Sequence, residues 1–128
     1  MGQQQLLLLI LALILVGIAI AAGISIFNAQ RVKTNLDDII SDLNLLAANA
    51  YQYRGRPTTM SGGQGSYIGY VIPKTLASNE SANYKISTQT VNSITLVATS
   101  VQNTTNIVTV VVDNDGKLGA WTYDGDFQ

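Results

Sequence analysis

Cysteine and histidine are both absent from this sequence of 128 residues, and charged residues make up only 12% of it. Without them the chain lacks the usual general base near neutral pH, the thiolate nucleophile and the commonest ligands of transition metals. No disulfide can stabilise the fold either. We therefore expect no enzymatic activity, no cofactor, and neither catalytic nor metal-binding residues.

Clusters of like charge are also missing, since seven basic and eight acidic residues are scattered along the chain and give a net charge of −1. A nucleic-acid-binding surface normally shows clustered basic side chains, so no nucleic acid partner is expected. Asp38 and Asp42 have the one-turn spacing of a paired-carboxylate metal site. A solvated helix face, or pairing with Arg31 and Lys33, is the more ordinary explanation of these two carboxylates.

Proline is scarce, and the first of the two prolines is Pro57. From Leu6 to Ile24 there is no polar side chain. Beyond residue 31 the pattern becomes amphipathic, because apolar residues recur at three- and four-residue steps. The sequence therefore predicts one unbroken helix over residues 5–54. The residues of its amphipathic stripe are Val32, Leu36, Ile39, Ile40, Leu43, Leu46, Ala47 and Ala50.

The apolar part, residues 6–27, is long enough to cross a hydrocarbon layer of about 30 Å, which takes about 20 apolar residues. Gly17 and Ala21 are four residues apart, as are Ala19 and Gly23, and such small residues let helices approach closely. Arg31 and Lys33 follow the span, so the positive-inside rule taken alone places the following domain in the cytoplasm. A single-pass anchor displaying a small β-rich binding module is therefore an alternative function.

The rest of the chain is predicted to form a glycine-rich loop and a small antiparallel sheet. Gly55 and Pro57 favour the end of the helix near residue 54. The loop that follows is expected to pack on the sheet through Met60, Tyr67, Ile68 and Tyr70. Period-two runs rich in Val, Ile, Thr and Tyr predict strands over 83–88, 93–101, 106–113 and 117–123. The fold class is thus α+β. The segments are the apolar helix half 1–30, the amphipathic half 31–54, the loop 55–82 and the sheet 83–128.

The last hairpin is predicted to turn at Asp115-Gly116, a dipeptide suited to a tight type I′ turn. This register would pair Val112 with Gly119, Val110 with Trp121 and Val108 with Tyr123. The three valines and the two aromatic residues would then share the face of the sheet that covers the helix.

The whole pattern resembles the type IV pilins. The resemblance rests on the uncharged run from Leu6, the small residues from Gly17 to Gly23, and the unbroken passage into an amphipathic half ending near Arg54. A glycine-rich connection and a β-rich C-terminal half complete it. Two features depart from the family. The family usually has a basic leader ending in glycine, whereas Met1-Gly2 offers only a two-residue uncharged one. The family usually has glutamate at the fifth mature position, whereas this position is Gln5 counted from Met1 and Leu7 counted from Gln3.

The resemblance implies a structural subunit of an extracellular filament on the cell surface. It implies that the apolar helix is held in the inner (cytoplasmic) membrane before assembly, and that assembly machinery then transfers it into a bundle of identical helices. The partners implied are thus further copies of this chain, the membrane and the pilus machinery. Adhesion is among the roles of such filaments.

Contacts between subunits are predicted along the apolar helix half and at one leucine of the amphipathic half. Leu45 falls among polar residues on a helical wheel, beside Thr34, Ser41 and Asn49, and a neighbouring subunit would cover it. The predicted interface residues are Leu6, Leu9, Leu13, Val16, Gly17, Ile20, Ala21, Gly23, Ile24, Phe27 and Leu45.

Two triplets match the N-glycosylation sequon, Asn79-Glu80-Ser81 and Asn103-Thr104-Thr105. Both are predicted to lie in loops. Such triplets also arise by chance, so they are weak indications by themselves.

Overall fold

A single helix, α1, runs without interruption over Gly2–Gly55 in the computed structural model, which describes residues 2–128. No proline interrupts the run, and the unbroken helix predicted over residues 5–54 is confirmed. The chain divides into two compact units, one ending at Lys33 and the other spanning Thr34–Gln128.

The first unit is the apolar part of α1. From Gly2 to Arg31 every side chain is exposed in the single chain. The most apolar window of 18 residues has a mean hydropathy of 3.1, and none of it is buried. By length and composition the helix can cross a membrane, and its backbone groups are paired internally, as the hydrocarbon region requires.

The second unit contains a four-stranded antiparallel sheet with strands in chain order. Its strands are β1 (Ala82–Gln89), β2 (Ile94–Ser100), β3 (Ile107–Val112) and β4 (Leu118–Asp124). Each boundary falls within one residue of its predicted position, so the strand predictions are confirmed. A short helix, α2 (Lys74–Ala77), lies in the connection between α1 and β1.

The core lies between one face of α1 and one face of the sheet. The buried apolar residues of the helix have the three- and four-residue spacing of a single helical face, and the buried residues of β2 and β3 alternate along each strand. The fold is therefore α+β, with a long helix packed on an antiparallel sheet. These core residues are Ile39, Leu43, Leu46, Ala47, Ala50, Ile94, Leu96, Ala98, Val108, Val110 and Val112.

The β3–β4 hairpin has a three-residue loop, which begins one residue earlier than the two-residue turn predicted at Asp115-Gly116. Val112 pairs with Leu118 and not with Gly119, so the predicted pair is wrong. The loop comprises residues 114–116, closed by a hydrogen bond of 3.0 Å from the Asp113 amide to the Lys117 carbonyl oxygen. Gly116 has φ 79°, as expected for a turn followed by a left-handed residue. The Asp113 carboxylate stabilises this longer loop by accepting from the amides of Asp115 and Lys117, each at 2.9 Å.

A β-bulge in β4 then restores the predicted register. The pairing shifts between Thr109 and Val111, and Ala120 adopts φ 49°. Val108 pairs with Tyr123, as predicted. Val110 lies opposite the bulge, so its predicted pairing with Trp121 is wrong.

The aromatic residues of β4 are only half buried, whereas Val108, Val110 and Val112 of β3 are fully buried. The rings of Trp121 and Tyr123 stack on each other, with centroids 6.3 Å apart and an angle of 5° between their planes. β4 is an edge strand. A neighbouring strand lies on only one side of it, so its inward-facing side chains remain partly exposed.

The bulge gives a test of this register. Ala120→Val is expected to lower the free energy of unfolding by about 1–2 kcal/mol, because a β-branched residue is strained at positive φ. Ala120 is exposed, so lost packing does not contribute. Chemical denaturation measures the effect, with Thr122→Val as the matched control, since Thr122 is exposed on the same strand. Equal stability of the two variants would contradict a left-handed Ala120.

Candidate subunit interface

The predicted interface residues of the apolar helix half are all exposed within the chain. Its large side chains have exposed fractions between 57% and 67%. Gly17, Ala21 and Gly23 are exposed as well. The large side chains are Leu6, Leu9, Leu13, Val16, Ile20, Ile24 and Phe27.

The chain itself leaves every side of this segment uncovered. Apolar residues outside the predicted set have exposed fractions of 52–69%, so no side of the helix is distinguished as an interface. A helix that is apolar all round is normally found in a membrane or in the core of a larger assembly. The additional exposed residues are Leu7, Leu8, Ile10, Leu11, Ile14, Leu15, Ile18 and Ile26.

The two glycines of this segment have no packing role within the chain. A Cβ atom added to Gly17 or to Gly23 would meet no other part of the chain within 4 Å. Glycine costs a helix roughly 1 kcal/mol relative to alanine. Close approach of a helix from another molecule is the kind of contact that small residues at these positions allow.

Leu45 is the exposed member of a leucine triplet on the amphipathic half of α1. Its exposed fraction is 54%, whereas Leu43 and Leu46 are 0% and 1% exposed. The predicted position of Leu45 away from the core is therefore confirmed. One isolated exposed leucine is ordinary, but further apolar side chains are exposed elsewhere on this unit.

The connection between α1 and β1 contributes several of these exposed residues. Tyr67 and Tyr70 are buried, as predicted, but Met60 and Ile68 are 65% and 55% exposed. The prediction that these last two residues pack on the sheet is wrong. Val71 is 77% exposed. No sequence pattern separates the buried from the exposed residues here, because a loop without periodicity does not indicate which of its apolar side chains face inward.

Polar side chains attach the amphipathic half of α1 to the sheet, and sequence reasoning did not identify them. Asn35 is buried, and its Nδ2 donates to the carbonyl oxygen of Ser81 at 3.0 Å. The Ser100 hydroxyl donates to Asn35 Oδ1 at 2.6 Å. Both ends of the buried amide are thus satisfied, as burial of a polar group requires.

A second polar contact involves Asp42, for which the sequence predicts a solvated face or pairing with Arg31 and Lys33. Its Oδ2 accepts hydrogen bonds from the Tyr84 hydroxyl at 2.6 Å and from Asn79 Nδ2 at 2.7 Å. Neither prediction included these two partners. A polar residue beside an apolar stripe can either face water or meet a partner from a distant strand, and helical spacing does not distinguish the two.

Three tyrosines of this unit have raised pKa values. Burial raises the pKa of Tyr70 to about 12, and its hydroxyl donates to Asn49 Oδ1 at 2.7 Å. Burial, with the hydrogen bond to Asp42 and its charge, raises the pKa of Tyr84 further. Burial also raises the pKa of Tyr67, against an opposing effect of Arg54.

These shifts predict a loss of stability at alkaline pH. The ordinary tyrosine pKa is 10.0, so above about pH 10 the unfolded chain releases protons that the folded chain keeps. The free energy of unfolding should therefore be level below that pH and fall as the pH rises towards about 12, the folded value for Tyr70. Urea unfolding of a soluble fragment, residues 30–128, measures the slope. Tyr84→Phe should make the fall less steep, and an unchanged slope would contradict a shifted Tyr84.

Among residues 2–128, no group of three or more acidic, cysteine or histidine side chains is placed to hold a metal ion. An open cavity of about 440 Å³ is lined by residues including Tyr70, Tyr84, Lys85 and Gln89. Gln89 Nε2 donates to the carbonyl oxygen of Tyr70 at its edge. The cavity wall is part of the packing that holds the loop on β1.

The chain thus combines an uncovered apolar helical segment with a folded, hydrogen-bonded unit that exposes scattered apolar side chains. Comparison with protein-family models, characterised proteins and solved structures gave no match. Such an arrangement can bind lipid hydrocarbon or other apolar helices, because both remove the exposed segment from water.

Proposed function

We propose that this chain is a structural subunit of an extracellular filament of the type IV pilus kind and is not an enzyme. The observation that carries the proposal is the apolar segment of α1, which is exposed on every side from Leu6 to Phe27. Burying apolar surface contributes about 25 cal/mol per Å². A segment of this kind is stable only in lipid or against other apolar helices.

The proposed mechanism is transfer of the apolar segment from the inner membrane to a bundle of identical segments. Lipid tails and leucine side chains are similarly apolar, so the hydrophobic effect contributes little to this step. Van der Waals packing around small residues then has to favour the bundle. Gly17, Ala21 and Gly23 are the positions at which neighbouring helices would approach most closely.

The transfer also requires a machine that draws subunits from the membrane, and we propose such machinery as a partner. The folded unit supports this role because hydrogen bonds of Asn35 and Asp42 attach the amphipathic half of α1 to Ser81, Ser100 and Tyr84. A pulling force on the helix is thereby resisted by hydrogen bonds as well as by the apolar core.

The second candidate function is a single-pass membrane protein that displays residues 34–128 as a binding module. The observation that favours it is the length and mean hydropathy of α1, which suffice for a membrane span without any assembly. In this case the apolar segment stays in lipid, and the small residues would have no partner helix.

Shearing of cells that produce the full-length chain distinguishes the two functions. A filament subunit is expected in the sheared, detergent-free supernatant, as filaments visible by electron microscopy. A monomeric anchor would remain with the membrane pellet and enter solution only with detergent. Recovery of all the protein in the pellet, with no filaments, would contradict the proposed function.

A further inference from the structure

The two sequons of this chain lie in different surroundings. Asn103 belongs to the loop between β2 and β3, in which residues 101–105 are all exposed. Its main-chain oxygen accepts a hydrogen bond of 3.0 Å from the Asn106 amide, which closes a turn. The Asn103 side chain therefore stands on a short, ordered and accessible loop.

The amide group of Asn103 is held at its oxygen and free at its nitrogen. Oδ1 accepts from the Thr105 amide at 3.1 Å and from the Thr105 hydroxyl at 2.8 Å. Within residues 2–128 its Nδ2 donates no hydrogen bond. The sequon hydroxyl thus already contacts the asparagine that it accompanies.

Asn79 is different, because both ends of its amide are used by the fold. Its Nδ2 donates to Asp42 Oδ2 at 2.7 Å. Its Oδ1 accepts from the Ser81 amide at 2.8 Å and from the Ala82 amide at 3.0 Å, which fixes the turn before β1. A sugar on Nδ2 would have to fit beside the Asp42 carboxylate, which lies 2.7 Å from that nitrogen and also accepts a hydrogen bond from the Tyr84 hydroxyl.

We propose that Asn103 is an N-glycosylation site and that Asn79 is not. The modification requires an oligosaccharide carried on a lipid pyrophosphate and a transferase on the outer side of the membrane. The proposal therefore rests on the extracellular position that the proposed function gives to Asn103. In the step, the bond from the anomeric carbon to the pyrophosphate oxygen breaks and a bond from that carbon to Nδ2 forms. The amide proton passes to a base of the transferase, and the lipid pyrophosphate leaves.

The geometry at Asn103 favours this reaction electrostatically. When an amide nitrogen loses its proton, the negative charge develops largely on the amide oxygen. Two donors from Thr105 already point at Oδ1, and donors aimed at developing charge lower its energy. A bulky, polar glycan suits an exposed loop and leaves the core untouched.

The test is mass spectrometry of the full-length chain isolated from the cells that naturally make it. Peptides carrying Asn79 and Asn103 are mapped separately in the unaltered protein. The expected result is a mass increment of whole sugar residues on the Asn103 peptide and none on the Asn79 peptide. Asn103→Gln and Thr105→Ala should abolish the increment, whereas Thr105→Ser should retain it because the hydroxyl remains.

Every other pattern overturns the proposal. A chain with only its sequence mass would show that Asn103 is not modified, and sugar on Asn79 would show that the contact with Asp42 does not protect it. Electron microscopy of the same preparations reports filaments independently. Filaments without a glycan would overturn this proposal alone, whereas a glycan without filaments would overturn the filament and leave the modification.

Discussion

Leu45→Asp is expected to abolish filaments while leaving the folded unit intact. Leu45 is 54% exposed in the single chain, and surface substitutions usually change stability by no more than about 0.5 kcal/mol. In a filament the same position is expected to be enclosed by a neighbouring subunit. An unpaired buried carboxylate costs several kcal/mol, and the cost recurs at every subunit.

Two measurements are needed for this variant. Thermal unfolding of the fragment 30–128 reports the fold, and electron microscopy of sheared material from the full-length chain reports assembly. Asn44→Asp is the matched control, because Asn44 is exposed on the same helix and the substitution introduces the same carboxylate. Leu45→Met keeps an apolar side chain and should keep the filaments.

The outcomes separate the possible errors. A folded fragment with normal filaments would show that Leu45 is not an interface residue. An unfolded fragment would contradict the exposed position of Leu45 in the structure. Loss of filaments in Asn44→Asp as well would assign the effect to added charge on the helix in general.

Leu43→Ala is expected to have the largest effect on stability, with a loss of about 2–5 kcal/mol. Leu43 is fully buried between α1 and the sheet, and truncation leaves a cavity in a close-packed core. For a domain of this size, each kcal/mol lowers the thermal midpoint by roughly 4–8 °C. Calorimetry or circular dichroism of the fragment 30–128 measures the change.

The matched control makes the same substitution two residues away. Leu45→Ala removes the same atoms from the same helix at an exposed position, so it should change stability by no more than about 0.5 kcal/mol. Similar losses in both variants would contradict the assignment of the core face of α1.

Periodicity explains why so much of the fold could be predicted from the sequence. The helix has no breaker before Pro57, and the four strands have period-two patterns, so their existence and positions followed from local chemistry. The details of the last hairpin did not follow. The Asp113 carboxylate stabilises a three-residue loop, and the bulge at Ala120 compensates for the resulting shift of one residue.

The candidate interface could be predicted only in part. An apolar run indicates that the segment leaves water, but it does not indicate which side meets which partner, and the exposed fractions are alike all round. Asn35 contacts a residue that lies 46 positions further along the chain, and Asp42 contacts one that lies 42 positions further along. Such pairings depend on the folded topology, and no local pattern in the sequence indicates them.

The proposed filament rests on the claim that the apolar halves of many copies bundle together. Cryo-electron microscopy of filaments sheared from cells, with reconstruction to side-chain detail, tests it. The proposed function predicts a filament of this chain in which residues 6–27 of neighbouring subunits pack against one another on the axis, with Gly17 and Gly23 at close contacts. The claim would be contradicted by filaments in which these residues lie apart from one another, or by sheared material that contains no filament of this chain.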